Sequence, residues 1–174
     1  MAQPSHSVCT TARVKQVVGI ASANTDYDTE LDALVGAVSK WVERQCCRTF
    51  VGGGSDTTEY VDIYDDRRIV YLDRKPIVTV TSVYEDPDTK YGSSTLLTQD
   101  DTDTYGDYRI LDDEAALERI GGDWSKGSRV LKVTYTGGYD DTAAVVSSLP
   151  DLSEAAAHIV AFWWKMTHTS KESR

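Results

Sequence analysis

Apolar residues recur along this chain with two periods, and the change from one to the other near residue 59 divides it. Before that point the period is helical. Val14, Val17 and Val18 share one face of a helix predicted over residues 11–20, with Thr10 or Thr11 placed to cap its start. Gly19 and the polar run 21–26 end it. A second helix is predicted over 28–49, where Leu31, Leu34, Val35, Val38, Val42 and Cys46 follow the three, four, seven spacing. Asp28 is a candidate cap, Glu30 and Asp32 suit the positive end of the helix, and Lys40, Arg44 and Arg48 lie towards the negative end. At about 1.5 Å per residue this rod measures roughly 33 Å. It stops before Gly52, Gly53 and Gly54.

From Glu59 onward, short β-branched and aromatic runs are broken by Asp, Gly and Pro, which predicts strands over 58–63, 69–72, 77–84, 108–111 and 129–135. In the last of these, Leu131, Val133 and Tyr135 alternate with Lys132 and Thr134. The run GDWSKGS at 122–128 reads as a hairpin turn. A third helix begins near Pro150, with Asp151 and Glu154 in its first turn, and is expected to bury Leu152, Ala155, Ala156, Ile159, Val160, Trp163 and Met166. The predicted fold is α+β: two N-terminal helices and a C-terminal helix packed with a small, mostly antiparallel sheet. Residues 10–167 are expected to form one domain between flexible ends, 1–9 and 168–174.

Charge changes this picture in one place. The net charge of −10 is concentrated in residues 85–114, where ten acids face only Lys90 and Arg109. With Gly92, Ser93, Ser94 and several threonines among them, this stretch is expected to be a mobile, solvent-facing loop. An acidic surface repels phosphate backbones, so sequence-specific nucleic-acid binding is disfavoured. No apolar run approaches the roughly 18 residues of a membrane span, and MAQPSHSVCT lacks the regions of a signal peptide, so a cytosolic product is expected. Cys9, Cys46 and Cys47 offer neither a disulfide framework nor zinc-ligand spacing.

Candidate chemistry is sparse. His6 and His168 fall in the terminal stretches, and His158 has no nucleophile or metal ligand at helical spacing. The glycines of GDWSKGS have phosphate-loop spacing, but Ser128 and Arg129 stand where Lys and Ser or Thr should follow, and a strand comes next. Asp100, Asp101, Asp103, Asp112, Asp113 and Glu114 offer oxygen ligands for a hard cation but depart from the EF-hand pattern. The vicinal Cys46 and Cys47 read as helix-boundary residues. No catalytic residue, metal site or cofactor is predicted.

The order of motifs is more informative than any one of them. RVKQVVGI, then DTELDALVGAVSKWVERQCCRTF, IVYLDRKPIVTVTSVYED, VLKVTYTGGY and a helix opening PDLSEAAAHIVAFWW together resemble the head-tail connector, or adaptor, family of tailed bacteriophages over residues 10–166. The most specific pieces are the L-x-R-x-P-V-like turn at 72–78, V-T-Y-x-G-G-Y at 133–139 and the proline-started terminal helix. The resemblance implies a non-enzymatic virion subunit that forms a dodecameric ring beneath the portal protein, extends the DNA channel and meets a stopper or tail-completion protein. DNA would pass without sequence-specific contact, and no membrane is involved.

It also implies that the C-terminal helix docks on the portal, which makes Phe162, Trp163, Trp164, Lys165 and His168 the expected contact residues. Three successive aromatics cannot share one helical face, because neighbours are about 100° apart. The acidic residues 100, 101, 103 and 112–114 are then expected to line the channel or face the stopper. Three other readings compete: a different head- or tail-completion protein, a metal-dependent hydrolase using the acidic loop, and a monomeric cytosolic binding module.

Overall fold

A computed structural model of the protein describes residues 6–52, 54–101, 105–111 and 115–172. The chain forms two compact units, one from Met1–Gly53 with Tyr139–Arg174 and the other from Gly54–Gly138.

The first unit is helical, with α1 (Thr11–Val18), α2 (Asp28–Cys46), α3 (Thr142–Ser148) and α4 (Pro150–Glu172). Thr10 caps α1 by accepting from the Arg13 N–H at 3.2 Å, and Gly19 closes it at φ +85, a left-handed turn that costs glycine little. Asp28 does not cap α2. Tyr27 holds that position, and Asp28, in the first turn, pairs instead with the Lys15 ammonium, which is buried and also donates to the Asn24 carbonyl at 2.8 Å. This ties the 19–27 connection to α1. Helix α2 ends at Cys46, three residues before the predicted limit, because Cys47 turns left-handed and its N–H folds back onto the last turn.

Helix α3 escapes the sequence pattern. Seven residues, TAAVVSS, are too few to show a period, although Asp141 caps them through the Ala144 N–H at 2.8 Å. The core of this unit gathers Val8, Val14, Leu31, Val35, Val38, Val145, Ala157 and Val160. Ser7, Val8 and Cys9, which fall in the stretch expected to be flexible, are buried: Val8 N–H donates to Ser39 Oγ at 3.1 Å, and Ser7 and Thr142 hydroxyls meet at 2.9 Å. Burial pushes the Cys9 thiol up to about 12, so it is chemically quiet.

Among the described residues, the second unit holds two three-stranded antiparallel sheets in place of the one that was expected. β1 (Asp56–Ile63), β6 (Gly127–Gly137) and β3 (Ile77–Glu85) form one in that spatial order, and β2 (Ile69–Tyr71), β5 (Ala116–Arg119) and β4 (Tyr108–Leu111) form the other. Both contribute to one core, with Ile63, Val83, Leu131, Val133 and Tyr135 from the first and Val70, Tyr108 and Leu117 from the second, beside Trp124. Strand β5 was not predicted. Its residues ALER favour helix, but pairing with β2 on one side and β4 on the other overrides that preference. The 122–128 run is not a hairpin turn, since it joins β5 to β6 in different sheets and buries Trp124.

Gly137 shows why the V-T-Y-x-G-G-Y run is tight. A Cβ there would stand 2.8 Å from the Tyr135 ring and 3.0 Å from Arg74 Cβ. The buried Tyr135 hydroxyl donates to Glu59 at 2.8 Å and accepts from the Arg74 N–H at 3.0 Å, which fixes the turn after β2 against the sheet.

Candidate functional site: the outer edge of the terminal helix and the acidic segment

Helix α4 buries Ser153, Ala156, Ala157, Val160 and Ala161. This stripe lies one residue on from the predicted one, a turn of about 100° about the helix axis. Small residues dominate it, so α4 approaches its neighbours closely. The rotation decides which aromatics face outward.

Trp164 follows the buried stripe. Its ring stacks on His168 with centroids 4.0 Å apart and meets Tyr27 edge-on at 5.6 Å, while His168 Nε2 lies 3.5 Å from Glu30 of α2. Trp163 is also half-buried against the helical core. Phe162 and Met166, by contrast, are each 60% exposed and sit at i, i+4 on one face, with the exposed Lys165 beside them. Met166 was expected in the core and is outside it. Of the five predicted contact residues, the fold therefore presents Phe162 and Lys165 to solvent and uses Trp163, Trp164 and His168 largely for internal packing. The helix continues through Glu172, beyond the limit of 167 expected for its ordered part.

Near the start of the helix, Glu154 accepts two hydrogen bonds from the Arg13 guanidinium, at 2.8 and 2.6 Å, and lies 3.2 Å from His158. These contacts hold its carboxyl below the ordinary range, with the Arg13 hydrogen bonds the largest cause. His158 is thus a surface partner of Glu154.

The described residues of the acidic stretch 85–114 are more built than a loop. Glu85 ends β3 and binds Arg119 Nε at 3.0 Å and the Ser125 N–H at 2.7 Å. Asp86 is buried and gathers the N–H groups of Asp88, Tyr91 and Lys90 at 2.8, 2.8 and 3.2 Å. Burial alone would raise its pKa, but these donors and the Lys90 charge outweigh it and hold the carboxyl low. Leu97 N–H bonds to the Val83 carbonyl at 2.8 Å, and Tyr108–Leu111 forms β4.

Asp100 accepts from Arg109 at 3.0 Å and from the Gly106 N–H at 3.2 Å, and both lower its pKa, Arg109 most. Its oxygens are therefore engaged within the protein. Asp101 is exposed, and Asp103, Asp112, Asp113 and Glu114 lie outside the described residues. Among the described residues no three His, Cys, Asp or Glu side chains converge in a way that could hold a metal ion. None of the cysteines is in a disulfide, and no described helix is long and apolar enough to cross a membrane.

A helical unit with an outward apolar pair, joined in sequence to a two-sheet unit rich in internally tied carboxylates, makes an α+β fold. The sequence profile of the head completion protein family matches residues 7–174, and the chain belongs to that family. It is accordingly a structural protein of the phage head-tail region, in agreement with the resemblance read from its motifs.

No curated protein matches the chain. Among solved structures, a subunit in the neck of an empty gene transfer agent particle, computed with C6 symmetry, shares the fold at a TM-score of 0.60 and 16% identity, over 95% of this chain and 81% of that one. A subunit in the neck of the native particle, computed with C12 symmetry, gives 0.57 and 15% over 95% and 80%. One in the virion of the native particle gives 0.60 and 17% over 95% and 81%.

Proposed function

We propose that this protein is a non-catalytic adaptor that forms a ring beneath the portal of a tailed phage or phage-like particle. The ring extends the DNA channel towards a stopper or tail-completion protein. The observation that carries this reading is the family match over residues 7–174, supported by the fold shared with subunits of necks that have cyclic symmetry. The protein acts in the virion neck after assembly in the host cytoplasm.

The portal-docking element is the outer edge of α4. Phe162, Met166 and Lys165 make the contact, while Trp163, Trp164 and His168 hold the helix in position to make it. An exposed aromatic that becomes the centre of an interface costs about 2 kcal/mol or more when truncated, roughly a thirtyfold loss in affinity. Acidic residues on the channel side reduce adhesion of the passing duplex, with a reach of about 8 Å at physiological salt.

The test is binding of the purified protein to portal-bearing heads that lack it, using wild type and Phe162→Ala. Saturable binding weakened in a variant of unchanged melting temperature is the expected result. Wild-type affinity in the Phe162→Ala protein would remove α4 from the contact.

A further inference from the structure

The outward face of the β1-β6-β3 sheet carries a cluster of tyrosines and cations. Tyr60 of β1, Lys132 of β6 and Tyr84 of β3 lie in one cross-strand row, because Lys132 is the register partner of both tyrosines. The Arg129 guanidinium lies over the Tyr60 ring at 4.1 Å, and the Lys132 ammonium sits 5.4 Å from the Tyr84 ring and 5.5 Å from the Tyr91 ring.

Two members of this cluster are held in a strained backbone. Arg129 and Tyr91 have φ of +51 and +50, a region that non-glycine residues seldom occupy. Each is pinned by a carboxylate: Asp62 accepts the Arg129 N–H at 2.6 Å, and Asp86 accepts the Tyr91 N–H at 2.8 Å. The Tyr91 hydroxyl donates to the Arg129 carbonyl, which closes the arrangement. The two cations also differ from six others of the unit in what they face: Arg67, Arg68, Lys90, Arg109, Arg119 and Lys126 each pair with a carboxylate, whereas Arg129 and Lys132 lie against tyrosine rings.

A guanidinium held over an aromatic ring keeps its charge and its five N–H donors, the groups that take up an oxyanion. We propose that Tyr60, Tyr84, Tyr91, Arg129 and Lys132 form a docking site for carboxylates on a second copy of this chain. This is one side of the subunit–subunit contact in the ring, and it rests on the ring reading above.

Charge complementarity selects that occupant. The sheet unit has eighteen Asp and Glu against ten Lys and Arg, and while Asp65, Asp66 and Asp88 are shared with Arg67, Lys126 and Lys90, Asp123 is exposed outside these pairs. A heterologous ring contact needs two different surfaces that complement one another, and a cationic tyrosine patch beside acidic ones supplies them. Tyrosine and arginine are also the residues enriched where protein interfaces are strongest. DNA fits less well, since two cations release few counterions against the field of a chain with a charge of −10.

The experiment is sedimentation velocity of the full chain over a range of concentrations at low and high salt. It compares wild type, Tyr60→Ala and the double variant Arg129→Ala/Lys132→Ala, with melting temperature as the control for folding. Self-association of wild type that weakens in high salt, and falls about tenfold or more in the variants, is the expected result. Equal self-association in folded variants overturns the site and leaves the ring reading standing. A wild type that stays monomeric throughout also overturns it, and the head-binding test then judges the ring on its own. A parallel titration with a fluorescent 20-nucleotide single strand and a 20-base-pair duplex identifies the other occupant: DNA binding lost in the double variant, without self-association, assigns the patch to nucleic acid and ends the proposal.

Discussion

The two units spend their charged residues differently. The helical unit has ten acids against eight bases; Asp28 meets Lys15 and Glu154 meets Arg13, while Glu43 and Asp141 accept the main-chain N–H groups of Phe50 and Ala144 at helix ends. The sheet unit, at eighteen against ten, turns many of its carboxylates on its own backbone. Asp62, Asp86, Asp100, Asp107 and Glu85 all accept main-chain N–H groups in turns and strand ends. Helices satisfy their own backbone and need help only at their ends, whereas short strands joined by long connections leave many N–H groups to be paired by side chains. An acidic composition is therefore partly a structural requirement of the second unit, and it need not mark a site.

The largest expected effects lie where the two units are alike, in their apolar cores. Trp124→Ala should destabilise the sheet unit by about 3–5 kcal/mol and Leu31→Ala the helical unit by about 2–5 kcal/mol, read by chemical denaturation. A substantially smaller loss for Trp124 would mean that carboxylate clamps hold that unit together more than burial does.

Next comes the contrast within α4. Trp164→Ala removes a half-buried ring packed on Tyr27 and His168, and should cost about 2 kcal/mol of stability. Phe162→Ala should leave the melting temperature within about 1 °C, as surface substitutions usually do. Equal losses in thermal melts would show that the helix does not have the inner and outer faces assigned to it.

Acid sharpens the comparison further. Asp62, held low chiefly by the Arg129 N–H and then by the Ser128 hydroxyl, joins Asp86 and Asp100 in the sheet unit, against Glu154 in the helical one. A carboxyl with a lowered folded pKa contributes stability that is full above its unfolded value of about 4 and is lost as pH falls through the folded value. Below about pH 4 the Trp124 indole N–H resonance should therefore change before those of Trp41, Trp163 and Trp164. The reverse order would contradict the assignment of clamps to the sheet unit. The smallest effect is local: Asp86→Asn should speed amide exchange at Asp88, Lys90 and Tyr91 with little change elsewhere.

What was legible in the sequence follows the same division. Helix α2 could be read because six apolar residues mark its face over many turns, and β6 because Leu131, Val133 and Tyr135 alternate cleanly. Strand β5 could not, since ALER is extended only through its partners on both sides. On α4 the aromatic crowding correctly required an outward ring, but the choice of ring depended on alanines 156, 157 and 161, whose smallness marks close packing that hydrophobicity alone does not rank. Tyr27, the ring that draws Trp164 inward, comes from a turn more than a hundred residues earlier. The Arg129 cluster was invisible for a similar reason: Tyr60, Tyr84, Tyr91 and Lys132 become neighbours only through strand register.

The most direct test of the central claim is cryo-electron microscopy of portal-bearing heads, lacking this protein, after addition of the purified chain. The account predicts a closed ring of added density coaxial with the channel, with Phe162 and Met166 of each copy against the portal. Density that is absent, or bound away from the channel axis without cyclic symmetry, would contradict it.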